Sequence, residues 1–176
     1  MTTKKRSLLI SFLIGFVILT GLDQWTKGLA VRYLKGQTPV TLIPEVFQFY
    51  YSENRGAAFG MLQEKQLFFF LIGAVVLAAV VYLMIRMPDG AKYRPLALCL
   101  MFISAGAVGN MIDRISQGYV VDFLYFSLIN FPIFNVADCY VTVSAAALVW
   151  LVMFYYKDED MACFSPKKGA GEEQKS

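Results

Sequence analysis

Histidine is absent from all 176 residues. That removes every Ser-His-Asp or Cys-His nucleophile, every His-ligated zinc site and any imidazole proton relay. Cysteine is scarce: Cys99, Cys139 and Cys163 are odd in number and never spaced as CxxC. Neither a disulfide framework nor a thiolate metal cluster is expected from them. Charge is thin as well, with charged residues at 16% of the chain against 57% hydrophobic; a soluble domain carries about 25% charged residues. The net charge of +3 is mild, and Lys and Arg sit between apolar blocks rather than in a patch, which argues against a nucleic-acid partner. Alternating ten-residue segments of the membrane-barrel kind are missing too. What is left is a helical membrane protein, since a backbone in lipid must satisfy its own hydrogen bonds.

Four charge-free stretches carry that reading: residues 8–22, 67–85, 95–112 and 139–156. A spanning helix needs about 20 apolar residues, and the first stretch reaches that length only by continuing to about residue 29. Lys4, Lys5 and Arg6 precede it as in a secretory signal, but Asp23-Gln24-Trp25-Thr26-Lys27 follows in place of a small-residue cleavage site. It reads as a retained first helix. Ten of the sixteen Lys and Arg residues lie at the N-terminus, between spans two and three, or at the C-terminus, which places both termini in the cytoplasm. Residues 115–138 hold none, and that loop should face outward. The segment 41–51 (TLIPEVFQFYY) is rich in β-branched and aromatic residues and reads as one or two short strands on the outer membrane face, between spans one and two. The expected organisation is a single four-helix unit over residues 1–160 and a disordered cytoplasmic tail over 161–176.

Acids at membrane depth carry the chemistry: Asp23, Asp113, Asp122 and Asp138. Each costs about 2.5–3.5 kcal/mol at a helix centre and so needs a partner or a task. Asp23 and Lys27 are spaced i,i+4 in the favourable order for an ion pair, which either serves a site or merely ends the helix. Asn110, Asp113 and Arg114 lie within one turn at the end of span three, where Arg114 is expected either to keep Asp113 ionised as a structural clamp or to reach a backbone carbonyl near Asp122 and Asp138. Asp122 and Asp138 have no Lys or Arg within their own segment, 115–156. Pro132 prevents one continuous helix between them, so they meet only if the intervening loop folds back. Asn135 stands i,i+3 from Asp138, within hydrogen-bonding reach. Two desolvated carboxylates at close range share a proton, and one then serves as general base while the other donates. The alternative is that each acid separately caps a helix or binds backbone amides.

These residues fall in five ordered blocks: Asp23-Gln24-Trp25-Thr26-Lys27, Asn54-Arg55-Gly56-Ala57-Ala58-Phe59-Gly60, Gly106-Ala107-Val108-Gly109-Asn110-Met111-Ile112-Asp113-Arg114, Val120-Val121-Asp122-Phe123 and Phe131-Pro132-Ile133-Phe134-Asn135-Val136-Ala137-Asp138. On them the chain resembles bacterial lipoprotein signal peptidase (signal peptidase II) over almost its full length, up to about Lys157. Ala107, where that family often has a second glycine, and Met111, where it has leucine, are the small departures. The resemblance implies an intramembrane aspartyl endopeptidase that removes signal peptides from diacylglyceryl-modified prolipoproteins, cutting before the lipidated cysteine. It implies Asp122 and Asp138 as the catalytic pair. It implies Asp23, Lys27, Asn54, Gly56, Asn110, Asp113, Arg114 and Asn135 as supporting or substrate-holding positions. It further implies no metal or cofactor, inhibition by globomycin-type cyclic peptides, lipid as surroundings, a monomer, and a bacterial cytoplasmic membrane with the site towards the outer face.

Beside it, the turn at Asn54 and Gly56 is suited to hold an extended peptide backbone, so Asn54 is read as a holding residue outside proton transfer. Gly106, Ala107 and Gly109 allow close approach of a helix, a substrate backbone or an acyl chain. A small transporter would show repeats or broken helices that the sequence lacks. A Ser-Lys hydrolase would need Lys27 as base with Ser104 or Ser144, and Asp23 one turn away keeps that lysine charged.

Overall fold

The computed structural model describes residues 2–56 and 66–164; Ala57, Ala58, Phe59 and Gly60 of the second block lie outside them, as does the tail beyond Phe164. Four helices are long and apolar enough to cross a membrane. Helix α1 (Thr3–Leu34) opens on Thr2, whose hydroxyl accepts the Lys5 amide. Strands β1 (Val40–Ile43) and β2 (Phe47–Asn54) follow, then α2 (Gln66–Arg86), a 3-10 turn (Ala91–Tyr93) and α3 (Arg94–Gln117). Strand β3 (Val120–Phe126) leads to α4 (Val136–Trp150), which continues as a π turn over Leu151–Tyr155.

The helices are built inside out. The buried residues of α1 are Asp23, Lys27 and Ala30, while Leu13, Ile14, Val17 and Ile18 lie at the surface. Water would reject such a helix; lipid accepts the apolar face and leaves the charged one to neighbouring helices. Helix α3 is the hub, touching α1, α2 and α4. Its glycines set the spacing. A Cβ on Gly106 would stand 2.5 Å from the Ala137 carbonyl oxygen of α4, and one on Gly109 would collide with the Asp23 carboxylate. The small residues of span three therefore serve helix packing.

The three strands form one antiparallel sheet in the order β1-β2-β3. The hairpin β1–β2 answers to the strands expected at 41–51, whereas β3 is a finding of the structure. Gly118, at φ +78°, ends α3 in the left-handed conformation that a glycine adopts without strain and turns the chain into β3. Beyond β3 the chain does fold back: Phe123 and Leu124 donate their amides to Phe134 O at 3.0 and 2.8 Å, and Phe134 N donates to Leu124 O at 3.0 Å. Apolar clusters lie on either side of the polar centre. One gathers Met84, Met87, Tyr93, Leu96, Leu100, Leu151 and Tyr156. The other joins Ala30, Val121 and Phe123 to Phe49 and Tyr51 of the sheet.

Two boundaries differ from the sequence reading. Helix α1 runs to Leu34, past the expected residue 29, because Lys27 is buried among acids and does not mark an interface. The tail does not begin at 161: a short helix α5 (Asp158–Met161) and a 3-10 turn (Ala162–Phe164) are ordered. Tyr93 Oη donates to Asp160 O at 3.0 Å, Tyr82 Oη to Phe164 O at 3.0 Å, and Lys92 pairs with Asp160 at 2.6 Å.

Candidate active site

The site is assembled where α1, α3, β3 and the start of α4 converge. Lys27 forms its base. Its ammonium lies 2.9 Å from Asp23 Oδ2, 3.0 Å from Asp113 Oδ2 and 2.8 Å from Asn110 Oδ1. Asp23 and Lys27 are one turn apart on α1, as their spacing requires. Gln24 closes this layer, donating to Gly109 O and Asp113 Oδ1 at 3.0 Å each and to Asp23 Oδ2 at 3.2 Å. Asp23 carries 0% exposure. A group so dry survives because every oxygen has a donor.

Above Lys27 sit two amides. Asn110 Nδ2 donates to Asp138 Oδ1 at 2.8 Å, while its oxygen accepts from Lys27 and from Asn135 Nδ2 at 3.1 Å. Asn135 is the N-cap of α4: its side-chain oxygen accepts the Asp138 amide at 3.0 Å, and its own amide donates to Asp138 Oδ2 at 3.1 Å. This is a reciprocal capping box. The same Asn135 Nδ2 donates to Asp122 Oδ1 at 2.6 Å. One asparagine therefore holds both carboxylates of the paired segments. Asn135 caps α4 and binds Asp122 at the same time, so helix capping does not exclude a link between the two segments.

Asp122 stands on β3 opposite Ser52 of β2. Asn54 Nδ2 donates to its other oxygen, Oδ2, at 2.9 Å, and Asn54 Oδ1 accepts the Gly56 amide at 3.0 Å. Burial above all, and next the charge of Asp138, push the Asp122 carboxyl up to about 7. The amides of Asn54 and Asn135, and the more distant charge of Lys27, oppose that rise. A carboxyl so placed holds its proton near neutral pH. It can donate it to a substrate oxygen while a neighbouring carboxylate takes one from water.

Two sequence expectations need correction. Among the described residues Asp113 is paired with Lys27, not with Arg114. Adjacent helical residues point about 100° apart; the Arg114 guanidinium lies over the Phe69 ring, 4.6 Å from its centroid, and Nη1 donates to the Asn110 backbone carbonyl at 3.4 Å, the other role expected for it. Asn54, read as outside proton transfer, is bonded directly to Asp122. The remaining expected positions, Asp23, Lys27, Asn110, Asn135 and Asp138, lie in one continuous network with Asp122. Gln24 was not singled out from the sequence, although it sits beside Asp23 in the first block.

The serine alternative finds no support in the geometry. Ser104 Oγ donates to Leu100 O at 2.6 Å within its own helix, and Lys27 has three acceptors already. Among the described residues no group of three or more His, Cys, Asp or Glu side chains is arranged to hold a metal ion.

Comparison with known proteins agrees with the motif blocks. A sequence model of the family described as signal peptidase (SPase) II matches residues 15–154. A lipoprotein signal peptidase of Caldanaerobacter subterraneus subsp. tengcongensis is 46% identical over 143 residues, 81% of this chain and 94% of the relative. One from Brevibacillus brevis is 47% identical over 138 residues, 78% of this chain and 91% of the relative. A bacterial membrane enzyme solved by the in meso method at 2.3 Å superposes with a TM-score of 0.73 at 31% identity, covering 81% of this chain and 87% of that one. A bacterial membrane enzyme solved in the same way at 1.9 Å gives 0.72 at 31% identity, covering 83% and 94%. From its ordered motifs, its four apolar helices and these relatives, the chain belongs to the signal peptidase II family.

Proposed function

We propose that the protein is an intramembrane aspartyl endopeptidase acting on diacylglyceryl-modified prolipoproteins, and that it hydrolyses the peptide bond before the lipidated cysteine. Asp122 and Asp138 are the reacting acids. The observation that carries the reading is their common hold on Asn135, at 2.6 Å for Asp122 and through the reciprocal cap for Asp138. Two carboxylates so linked in a dry site share a proton. The ionised partner takes a proton from water as its oxygen attacks the scissile carbonyl, and the protonated one gives its proton to the carbonyl oxygen. On collapse of the tetrahedral gem-diol the leaving amine takes a proton from the first acid, while a hydroxyl of the diol returns its proton to the second as the carbonyl re-forms, which restores the pair. Nothing in this cycle calls for a metal or cofactor.

Asn110, Asn135 and Asn54 orient the acids, and the Asn54–Gly56 turn lies beside Asp122, where an extended chain can be held. The charge distribution supports both termini in the cytoplasm of a bacterial membrane, with the sheet and the acids towards the outer face. There a cleavage site unwound from its own helix meets water. A globomycin-type cyclic peptide occupies the same place as the substrate and blocks it. The protein works as a monomer surrounded by lipid. The test is cleavage by purified protein of a diacylglyceryl lipobox peptide beside its unlipidated twin. Cleavage of the lipidated peptide alone, before the cysteine, is expected; equal cleavage of both, or of neither, overturns the reading.

A further inference from the structure

The polar network contains one buried lysine that touches neither reacting acid. Its bonds are nevertheless directed at both. Asp113 Oδ2, 3.0 Å from the Lys27 ammonium, also accepts the Val121 amide at 3.1 Å. Val121 is the residue immediately before Asp122. Asp23, 2.9 Å from the same ammonium through Oδ2, accepts the Ala137 amide at 2.9 Å through Oδ1. Ala137 is the residue immediately before Asp138. The third bond, to Asn110 Oδ1 at 2.8 Å, leaves the Asn110 amide facing Asp138 Oδ1, also at 2.8 Å. Each acid is thus tied one residue upstream, on its backbone, to a carboxylate that the same cation holds. The packing is fitted to this arrangement, since any side chain at position 109 would displace the Asp23 carboxylate.

We infer that Lys27 is the positioning residue of the aspartate pair, fixing β3 through Asp113 and the first turn of α4 through Asp23 so that the two reacting carboxyls keep one separation. The inference rests on the assignment of Asp122 and Asp138 as the reacting acids. Its physical basis is that charged bonds in a dry site are strong and directional, whereas β3 and α4 are otherwise joined by the loop at Phe134 and by Asn135. With the ammonium gone, Asp23 and Asp113 face each other as uncompensated carboxylates. The two anchored amides then shift, and a misplacement of about 1 Å costs about 100-fold in rate. Substrate contacts are untouched, so KM holds. Lys27 also acts through its charge, which lowers the pKa of Asp122. The charged groups around it are Asp23 on α1, Asp113 and Arg114 on α3, Asp122 on β3 and Asp138 on α4.

The experiment is steady-state cleavage of a diacylglyceryl lipobox peptide across pH by wild type, Lys27→Met, Lys27→Arg and Asp113→Asn in detergent micelles, each normalised to folded protein. Lys27→Met is expected to lose about 100-fold in kcat at unchanged KM, with the alkaline limb of its profile moved up. Lys27→Arg keeps the charge but cannot direct three bonds from one nitrogen, so it keeps the limb and loses kcat. Asp113→Asn keeps one acceptor oxygen where Gln24, Lys27 and the Val121 amide use two, and it removes a negative charge; its kcat falls and its limb moves down. That third variant decides the matter should Lys27→Met fail to fold. A kcat within threefold of wild type in Lys27→Met or Asp113→Asn, or a loss carried by KM, overturns the inference. So do limbs that stay in place while folded protein alone declines. Asp122→Asn run beside them separates the two failures. If it is fully active the aspartate assignment itself falls; if it is dead while Lys27→Met works normally, the positioning role alone falls.

Discussion

Replacing Asn54 with alanine should move the pH profile upward. Asn54 Nδ2 donates to Asp122 Oδ2 at 2.9 Å, and this bond stabilises the ionised carboxylate, so its loss favours the protonated form. A hydrogen bond to a charged group is worth about 1.5–3 kcal/mol, and one pKa unit corresponds to about 1.36 kcal/mol. A bare deletion therefore raises the Asp122 pKa by about one to two units. The lower end applies here, because Asn135 still holds Oδ1 at 2.6 Å and water can enter the space left by the amide. Asp122 starts from about 7. The active pair needs one proton between two acids, so activity falls as pH rises through the higher of their two pKa values. In Asn54→Ala that alkaline limb should stand about one unit above wild type, with a lower maximum rate from a less well oriented acid. The assay is kcat/KM against pH on a lipidated lipobox peptide, which reports the free enzyme. A limb that stays within about 0.3 units of wild type, or moves down, would show that this bond does not tune the acid and would refute the reasoning.

Replacing Cys99, Cys139 and Cys163 together by alanine or serine should leave activity intact and chelators should have no effect, although Cys139 adjoins Asp138; inactivity of a folded Cys-free variant counts against the aspartyl mechanism. Gly109→Ala should destabilise the fold by about 1–3 kcal/mol, the usual cost of overpacking, since its Cβ meets the Asp23 carboxylate. Thermal unfolding in detergent measures this, and an unchanged midpoint would show that α1 yields easily.

The four spans were legible because an uncharged run of about 18 residues has few uses other than lipid. Their ends were less so. The Asp23–Lys27 pair could either serve a site or end span one near residue 29, yet charges inside a bundle are compatible with a helix when they are paired, and α1 continues to Leu34. Strand β3 escaped because Val120–Phe126 is apolar almost throughout and shows no alternation; its partner β2 lies more than sixty residues away. Asp113 was assigned to its neighbour in sequence, whereas in a helix neighbours diverge and the true partner, Lys27, comes from another helix. The link from Asn54 to Asp122 depends on the register Asn54↔Val120 and Ser52↔Asp122, which no local pattern encodes. Asn135 and Asp138, by contrast, sit at capping-box spacing. That local feature is readable, and in the structure the same Asn135 also holds Asp122.

The central claim is that Asp122 and Asp138 are the reacting acids. Asn at either position keeps the shape and much of the hydrogen bonding but cannot cycle a proton. The most direct measurement is the cleavage rate of a diacylglyceryl lipobox peptide by purified Asp122→Asn and Asp138→Asn, each shown to be folded by thermal unfolding in detergent. A loss of at least about 100-fold in both is expected, the lower bound for an acid–base group, and retention of more than about a hundredth of the wild-type rate in either would contradict the account.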